Sequence, residues 1–196
     1  MRKLLVIVAT LLATAATALA GSSGCIKGDC QEGRGIYRFM DGTVYRGQFS
    51  DGLMDGRGSM SYPDGGLYEG EFAGGKFNGA GKIAYPGGDS YEGNFRDGVI
   101  SGQGTYRYAK GDVYSGNFAD GKPEGQGAMT FKEGGRYEGE FRAGLFHGQG
   151  LFNYPDGSTY EGGFVRGRKE GSGTYRFPDG TQKTGIYRDD RFVESR

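Results

Sequence analysis

The sequence has no tryptophan, one histidine, two cysteines and five prolines among its 196 residues, and each scarcity excludes something. His147 and a single C-x4-C pair cannot supply the ligand set of a structural zinc site. His147 lies in Leu145-Phe146-His147-Gly148, which reads as an exposed segment between strands. No nucleophile or orienting carboxylate is recognisable as its partner, so nothing points to a catalytic triad. Five prolines against 42 glycines exclude collagen. No apolar run beyond residue 20 is long enough to cross a bilayer. Phosphate-binding loops are also missing: Gly74-Gly75-Lys76-Phe77 has neither the spacing nor the hydroxyl residue of a P-loop. No cofactor is implied.

The one apolar run, Leu4 to Leu12, follows Arg2 and Lys3 and precedes Ala18-Leu19-Ala20. Basic start, short apolar stretch and small-residue cleavage site together read as a signal peptide over 1–20, with Gly21 the mature N-terminus. This predicts a periplasmic or secreted protein. Taking Arg2 and Lys3 from 24 basic residues leaves 22 against 24 acidic, a net charge of −2. Such a chain is a poor match for nucleic acid. An exported chain with an even cysteine count predicts a Cys25–Cys30 disulfide. Ser22-Ser23-Gly24 lacks the apolar residue that lipidation of Cys25 would require. The C-terminal end is locally basic (Arg166, Arg168, Lys169, Arg176, Lys183, Arg188, Arg191, Arg196), which suits at most a weak contact with anionic lipid.

What the sequence has in abundance is glycine and rings on a fixed beat. Y-x-G-x-F recurs at Tyr45–Phe49, Tyr68–Phe72, Tyr91–Phe95, Tyr114–Phe118, Tyr137–Phe141 and Tyr160–Phe164, always 23 residues apart. A G-x-G pair keeps the same beat from Gly33/Gly35 to Gly171/Gly173. Four residues after each second glycine stands another ring: Phe39, Tyr62, Tyr85, Tyr108, Phe131, Tyr154, Phe177. Within Tyr45–Phe49 the Tyr, Gly and Phe share one side of a strand, while Arg46 and Gln48 share the other. Ser50-Asp51-Gly52 and Pro63-Asp64-Gly65-Gly66 carry turn chemistry at the two ends of the hairpin. Each unit therefore reads as two antiparallel strands, apolar on one face and polar on the other. A lone hairpin buries too little to fold, so the units must lean on one another. Glycines beside rings allow close approach and bending toward the aromatic face.

The pattern predicts an all-β protein: an elongated, twisted antiparallel sheet of about seven stacked hairpin repeats with an aromatic-lined groove. Residues 21–44 form an N-terminal cap and first half-repeat, 45–182 the tandem repeats and 183–196 a C-terminal cap. The recurrent Glu69, Glu92, Glu138 and Glu161 fall by parity on the polar face, where carboxylates stay solvated. That face would bind a basic partner weakly at most.

Tyr68-Glu69-Gly70-Glu71-Phe72 followed by Gly79-x-Gly81, with Tyr137-Glu138-Gly139-Glu140-Phe141 equally close, resembles the MORN (membrane occupation and recognition nexus) repeat over about 33–187. The resemblance implies protein–protein contact and, in some members, proposed phospholipid association. No catalytic domain of the kind appended in other members accompanies these repeats. The expected role is a non-catalytic scaffold in the bacterial envelope. Membrane-surface association and carbohydrate binding are the alternatives. The expected binding surface is the groove formed by Tyr45, Phe49, Tyr62, Tyr68, Phe72, Tyr85, Tyr91, Phe95, Tyr108, Tyr114, Phe118, Phe131, Tyr137, Phe141, Tyr154, Tyr160 and Phe164, with Tyr hydroxyls at its rim. Open sheet ends would also permit a homodimer.

Overall fold

A computed structural model describes residues 23–195. The proposed signal peptide at 1–20 lies outside the described residues. All regular structure in them is β, in sixteen strands that divide into two units. The first unit, residues 23–109, contains β1 (Gly24–Gly28), β2 (Gly33–Arg38), β3 (Val44–Ser50), β4 (Leu53–Ser61), β5 (Leu67–Ala73), β6 (Lys76–Ala84), β7 (Ser90–Arg96) and β8 (Val99–Arg107). The second, residues 110–195, contains β9 (Val113–Ala119), β10 (Lys122–Thr130), β11 (Arg136–Arg142), β12 (Leu145–Asn153), β13 (Thr159–Val165), β14 (Arg168–Arg176), β15 (Gln182–Arg188) and β16 (Arg191–Ser195). Within each unit every strand pairs antiparallel with the next, so the chain is an open meander of hairpin repeats.

The hairpin β5–β6 shows how one repeat is built. Its tip, Gly74-Gly75, has φ of +53° and +80°, the left-handed values that a two-residue turn between twisted strands needs. In β3–β4 the same positions are Asp51 and Gly52 at +49° and +72°. Beyond the tip Phe72 pairs with Phe77, but the next aligned pair is Gly70 with Gly81. One residue on β5 thus faces three on β6, and the extra length is a bulge around Gly79, whose φ is +73°. The two glycines of G-x-G therefore serve different needs. The first turns the bulge. The second lies bare beneath a ring: a Cβ on Gly81 would stand 2.5 Å from the Tyr68 hydroxyl oxygen and 2.8 Å from its ring carbons.

The bulge also explains why that ring is tyrosine. The residue opposite it stands at the shift in register within its hairpin, and its carbonyl accepts the tyrosine O–H: Tyr45 donates to Gln48 O at 2.8 Å, Tyr68 to Glu71 O at 2.8 Å, Tyr114 to Asn117 O at 2.8 Å and Tyr137 to Glu140 O at 2.9 Å. A buried carbonyl left without a donor would be costly.

Rings tie each repeat to the next. Tyr45 packs edge-on against Phe49 of its own repeat at 5.0 Å and against Phe72 of the following one at 4.9 Å. Tyr68 does the same with Phe72 at 5.1 Å and Phe95 at 5.2 Å. In the second unit Tyr114 meets Phe118 and Phe141, and Tyr137 meets Phe141 and Phe164. Edge-to-face pairs at such distances add about 0.5–1.5 kcal/mol beyond their burial. Main-chain bonds also join the hairpin tips: Gly75 N donates to Met54 O, Gly98 N to Phe77 O and Gly144 N to Pro123 O.

The terminal repeats replace the missing tyrosine. Counting back one repeat from Tyr45 gives Ser22, which has no ring. The sulfur of Cys30, disulfide-bonded to Cys25, covers Gly35 instead, 2.6 Å from where a Cβ would stand. At the other end Phe192 covers Gly185, and Tyr187 packs on Tyr160 at 4.9 Å.

Three substitutions test this architecture. Gly81→Ala overpacks the Tyr68 ring and should cost about 1–3 kcal/mol. Gly87→Ala, with no atom within 4 Å of the new Cβ and no left-handed backbone, should be neutral or slightly stabilising. Tyr68→Phe strands the Glu71 carbonyl and should cost about 1–3 kcal/mol. Denaturant midpoints decide; equal midpoints for the two alanine variants would contradict the ring-over-glycine arrangement.

Candidate functional site

The structure sorts the predicted groove rings into two classes. Tyr45, Tyr68, Tyr91, Tyr114, Tyr137 and Tyr160 are at most 1% exposed, and Phe49, Phe72, Phe95, Phe118, Phe141 and Phe164 at most 6%. Their hydroxyls turn inward to main-chain carbonyls, as the bonds at Tyr91 (to Asn94 O, 3.1 Å) and Tyr160 (to Gly163 O, 3.2 Å) also show. The aromatic face is filled by its own side chains. The second class stands at the inter-repeat turns: Tyr62, Tyr85, Tyr108, Phe131 and Tyr154 are half-buried.

Burial sets the acid–base behaviour of the phenols. Desolvation is the largest cause in each case and pushes Tyr45, Tyr62, Tyr85, Tyr91 and Tyr160 up to about 12. Tyr106 rises too, first by burial and then because its hydroxyl donates to the Asp89 carboxylate at 2.7 Å.

One position departs from the apolar pattern. Just after the hairpin tip stand Met54, Phe77, Ile100, Pro123 and Phe146 in successive repeats, but Lys169 in the last. Phe146 stacks on Tyr137 at 3.9 Å, and Phe77 on Tyr68 at 3.7 Å. Lys169 instead holds its Nζ 4.8 Å from the ring centre of Tyr175, 5.1 Å from Tyr160, 5.3 Å from Tyr154 and 5.9 Å from Tyr187. Burial lowers its pKa, and the Asp190 carboxylate opposes that shift. Arg168 beside it pairs with Asp189 at 2.7 Å. Lys169 of the basic C-terminal end is thus engaged within the fold, while the Arg168–Asp189 pair stays at the exposed surface.

His147 lies inside β12, paired with Glu140, and is half-buried. The loop expectation fails there because the bulge lengthens the strand back to the hairpin tip. His147 contributes its carbonyl, which accepts from Tyr137 OH at 3.2 Å. Among the described residues no group of three or more His, Cys, Asp or Glu side chains is placed to hold a metal ion.

The open concavities of the first unit lie on the opposite, polar face. One, of about 560 Å³, is bounded by Arg57, Glu69, Glu71, Lys82, Glu92 and Asn94 over a floor that includes Gly70 and Gly81. Another, of about 520 Å³, has Lys27, Arg34, Arg46 and Arg57 around Gly35 and Gly47. Lys82 and Glu92 pair across this face at 3.0 Å, both well exposed. Strand parity assigns these charges to the polar side. It does not reveal the concavity, which depends on how the bulges bend the strands.

The sequence model of the family described as MORN repeat matches seven consecutive segments: 24–44, 45–67, 68–90, 91–113, 114–136, 137–159 and 160–182. No curated protein sequence matches the chain. Among solved structures, the SAS-4 (dCPAP) TCP domain of Drosophila melanogaster, in complex with a proline-rich motif of Ana2, is similar in fold, with a TM-score of 0.52 and 13% identity over 90% of this chain and 99% of that one. The TCP10 domain of Danio rerio CPAP, solved with a STIL peptide, aligns at 17% identity over 78% of this chain and 67% of that one, with a TM-score of 0.48.

The raised phenol pKa values fix a pH limit. A phenol that titrates higher when folded adds stability that is whole below its unfolded pKa of 10.0 and is lost as pH climbs toward about 12. The denaturant midpoint should therefore fall steeply above about pH 10, with phenolate absorbance appearing together with loss of the strand signal. Phenolate formed near pH 10 by most tyrosines in an intact sheet would contradict the burial described here.

Proposed function

The chain belongs to the MORN repeat family, and we propose that it acts as a non-catalytic scaffold that binds another protein through the exposed polar face of its hairpin sheet, outside the cytoplasm. The carrying observation is the division of labour between the two faces. The six repeat tyrosines are at most 1% exposed and spend their hydroxyls on their own backbone. The polar face instead holds exposed, charged concavities over glycine floors. The half-buried rings at the turns pack on the aromatic side instead, Tyr85 against Tyr106 and Tyr154 against Tyr175. In this reading the tyrosines and phenylalanines of the expected groove shape the sheet, and the polar face meets the partner.

The similar SAS-4 domain was solved with a proline-rich motif bound, which supports peptide recognition as a use of such a sheet. The Cys25–Cys30 disulfide is compatible with an oxidising compartment. Together with the leader-like segment at 1–20 it supports placement in the cell envelope or outside the cell. Enclosure of Lys169 among four tyrosine rings removes one cation from the surface available for a membrane contact at the C-terminal end.

Photo-crosslinking in the cell that makes the protein tests this. A photoreactive residue in place of Glu92, on the polar face, should give a discrete protein adduct. The same group in place of Asp179, in the exposed turn after β14, should give far less. Absence of any protein adduct from Glu92, or equal labelling from both sites by unrelated proteins, would count against the scaffold reading.

A further inference from the structure

The charges on the polar face of the first unit are segregated along the sheet. Lys27 of β1, Arg34 and Arg38 of β2, Arg46 of β3 and Arg57 of β4 are all exposed. None of these five forms an ion pair among the described residues. The carboxylate that β4 itself carries, Asp55, lies toward the hairpin tip and accepts from Gly74 N at 3.1 Å. The sign then reverses: β5 presents Glu69 and Glu71, and β7 presents Glu92, with Lys82 of β6 between them. Strand pairing puts this reversal on one line across the sheet, Lys27–Ile36–Arg46–Ser59–Glu69–Lys82–Glu92. Arg34–Gln48 and Arg57–Glu71 run beside it.

We propose that this trough is a docking site for an extended peptide segment of the partner protein. Carboxylates of the segment would lie over β1–β4, and its cationic continuation over β5–β7. The proposal rests on the scaffold reading and names the partner's chemistry. Spacing supports it. Neighbouring strands are about 4.8 Å apart, so Lys27 and Arg46 stand about 10 Å apart along the sheet, roughly three residues of extended chain. A segment from β1 to β7 would need about nine residues. Arginine suits the basic end because its planar fork takes a carboxylate through two parallel hydrogen bonds.

The sign reversal decides against a uniform polyanion. A nucleic acid strand or an acidic polysaccharide long enough to fill the trough would bring its charge onto Glu69, Glu71 and Glu92. An anionic bilayer spread over the trough would likewise meet Glu69, Glu71 and Glu92 beside the basic strands. A segment of mixed charge gains at both ends. Apart from the half-buried Glu71 these groups are exposed, so binding should be modest and salt-sensitive.

Synthetic peptides titrated onto the chain from Gly21 onward test the site. A peptide with aspartates in one half and lysines in the other should bind at low salt and release at high salt. An all-aspartate peptide of equal length should bind at least several-fold more weakly, and anionic vesicles should not compete. Arg46→Glu with Arg57→Glu should lower the mixed peptide's affinity at least tenfold while leaving the denaturant midpoint unchanged. Arg176→Glu with Arg188→Glu, on the second unit, should leave it unaltered. Equal or tighter binding of the all-aspartate peptide or the vesicles, or indifference to Arg46→Glu with Arg57→Glu, would overturn the proposal. Protein adducts from Glu92 together with such a result would retain the scaffold reading while discarding this site, so the two fail separately.

Discussion

A tyrosine ring lying flat across two facing glycines is the contact on which the rest of this structure depends. The ring of Tyr68 covers Gly70 and Gly81, and its hydroxyl reaches the carbonyl freed by the bulge at Gly79. Remove the ring and the glycine pair is an unprotected weak point in two strands. Add a Cβ to either glycine and the ring has nowhere to lie. The same ring is gripped edge-on by phenylalanines from its own and the next repeat, so a local packing solution propagates along each unit. That explains why a 23-residue unit too small to fold alone is stable in series.

The arrangement has a functional consequence. Because the hydroxyls and ring edges are consumed in holding repeats together, the aromatic face has little left to offer a ligand. The polar face carries positions, such as Arg46 and Glu69, that the ring packing does not constrain. Its charges are free to differ between repeats, as Arg46, Glu69 and Glu92 do at one repeat position. A conserved geometry with a variable exposed face suits recognition.

Much of this was legible in the sequence. Period, strand parity, turn positions and the cysteine pair were all readable, because glycine, aromatic and Asp-Gly positions each carry a direct conformational preference. The bulge was not, since a G-x-G with strand parity looks like a regular strand until its pairing is known. Three readings turned on it: the inward path of the tyrosine hydroxyls, the placement of His147 inside β12, and the side on which the sheet offers a concavity. Lys169 stood in plain view as the one cation in an apolar column. Its cage of four tyrosines required the neighbouring strands in place. The use of the Cys30 sulfur to cover Gly35 was not legible, because it needs the fold of the first strands in place.

A double-mutant cycle on Tyr45 and Phe72, with leucine at each position, measures the interlock between repeats most directly. The account predicts a coupling energy of about 0.5–1.5 kcal/mol across the repeat boundary, close to that of the Tyr45–Phe49 pair within one repeat. Coupling near zero for Tyr45 with Phe72 would mean that the rings merely occupy neighbouring space and that something else holds successive repeats together.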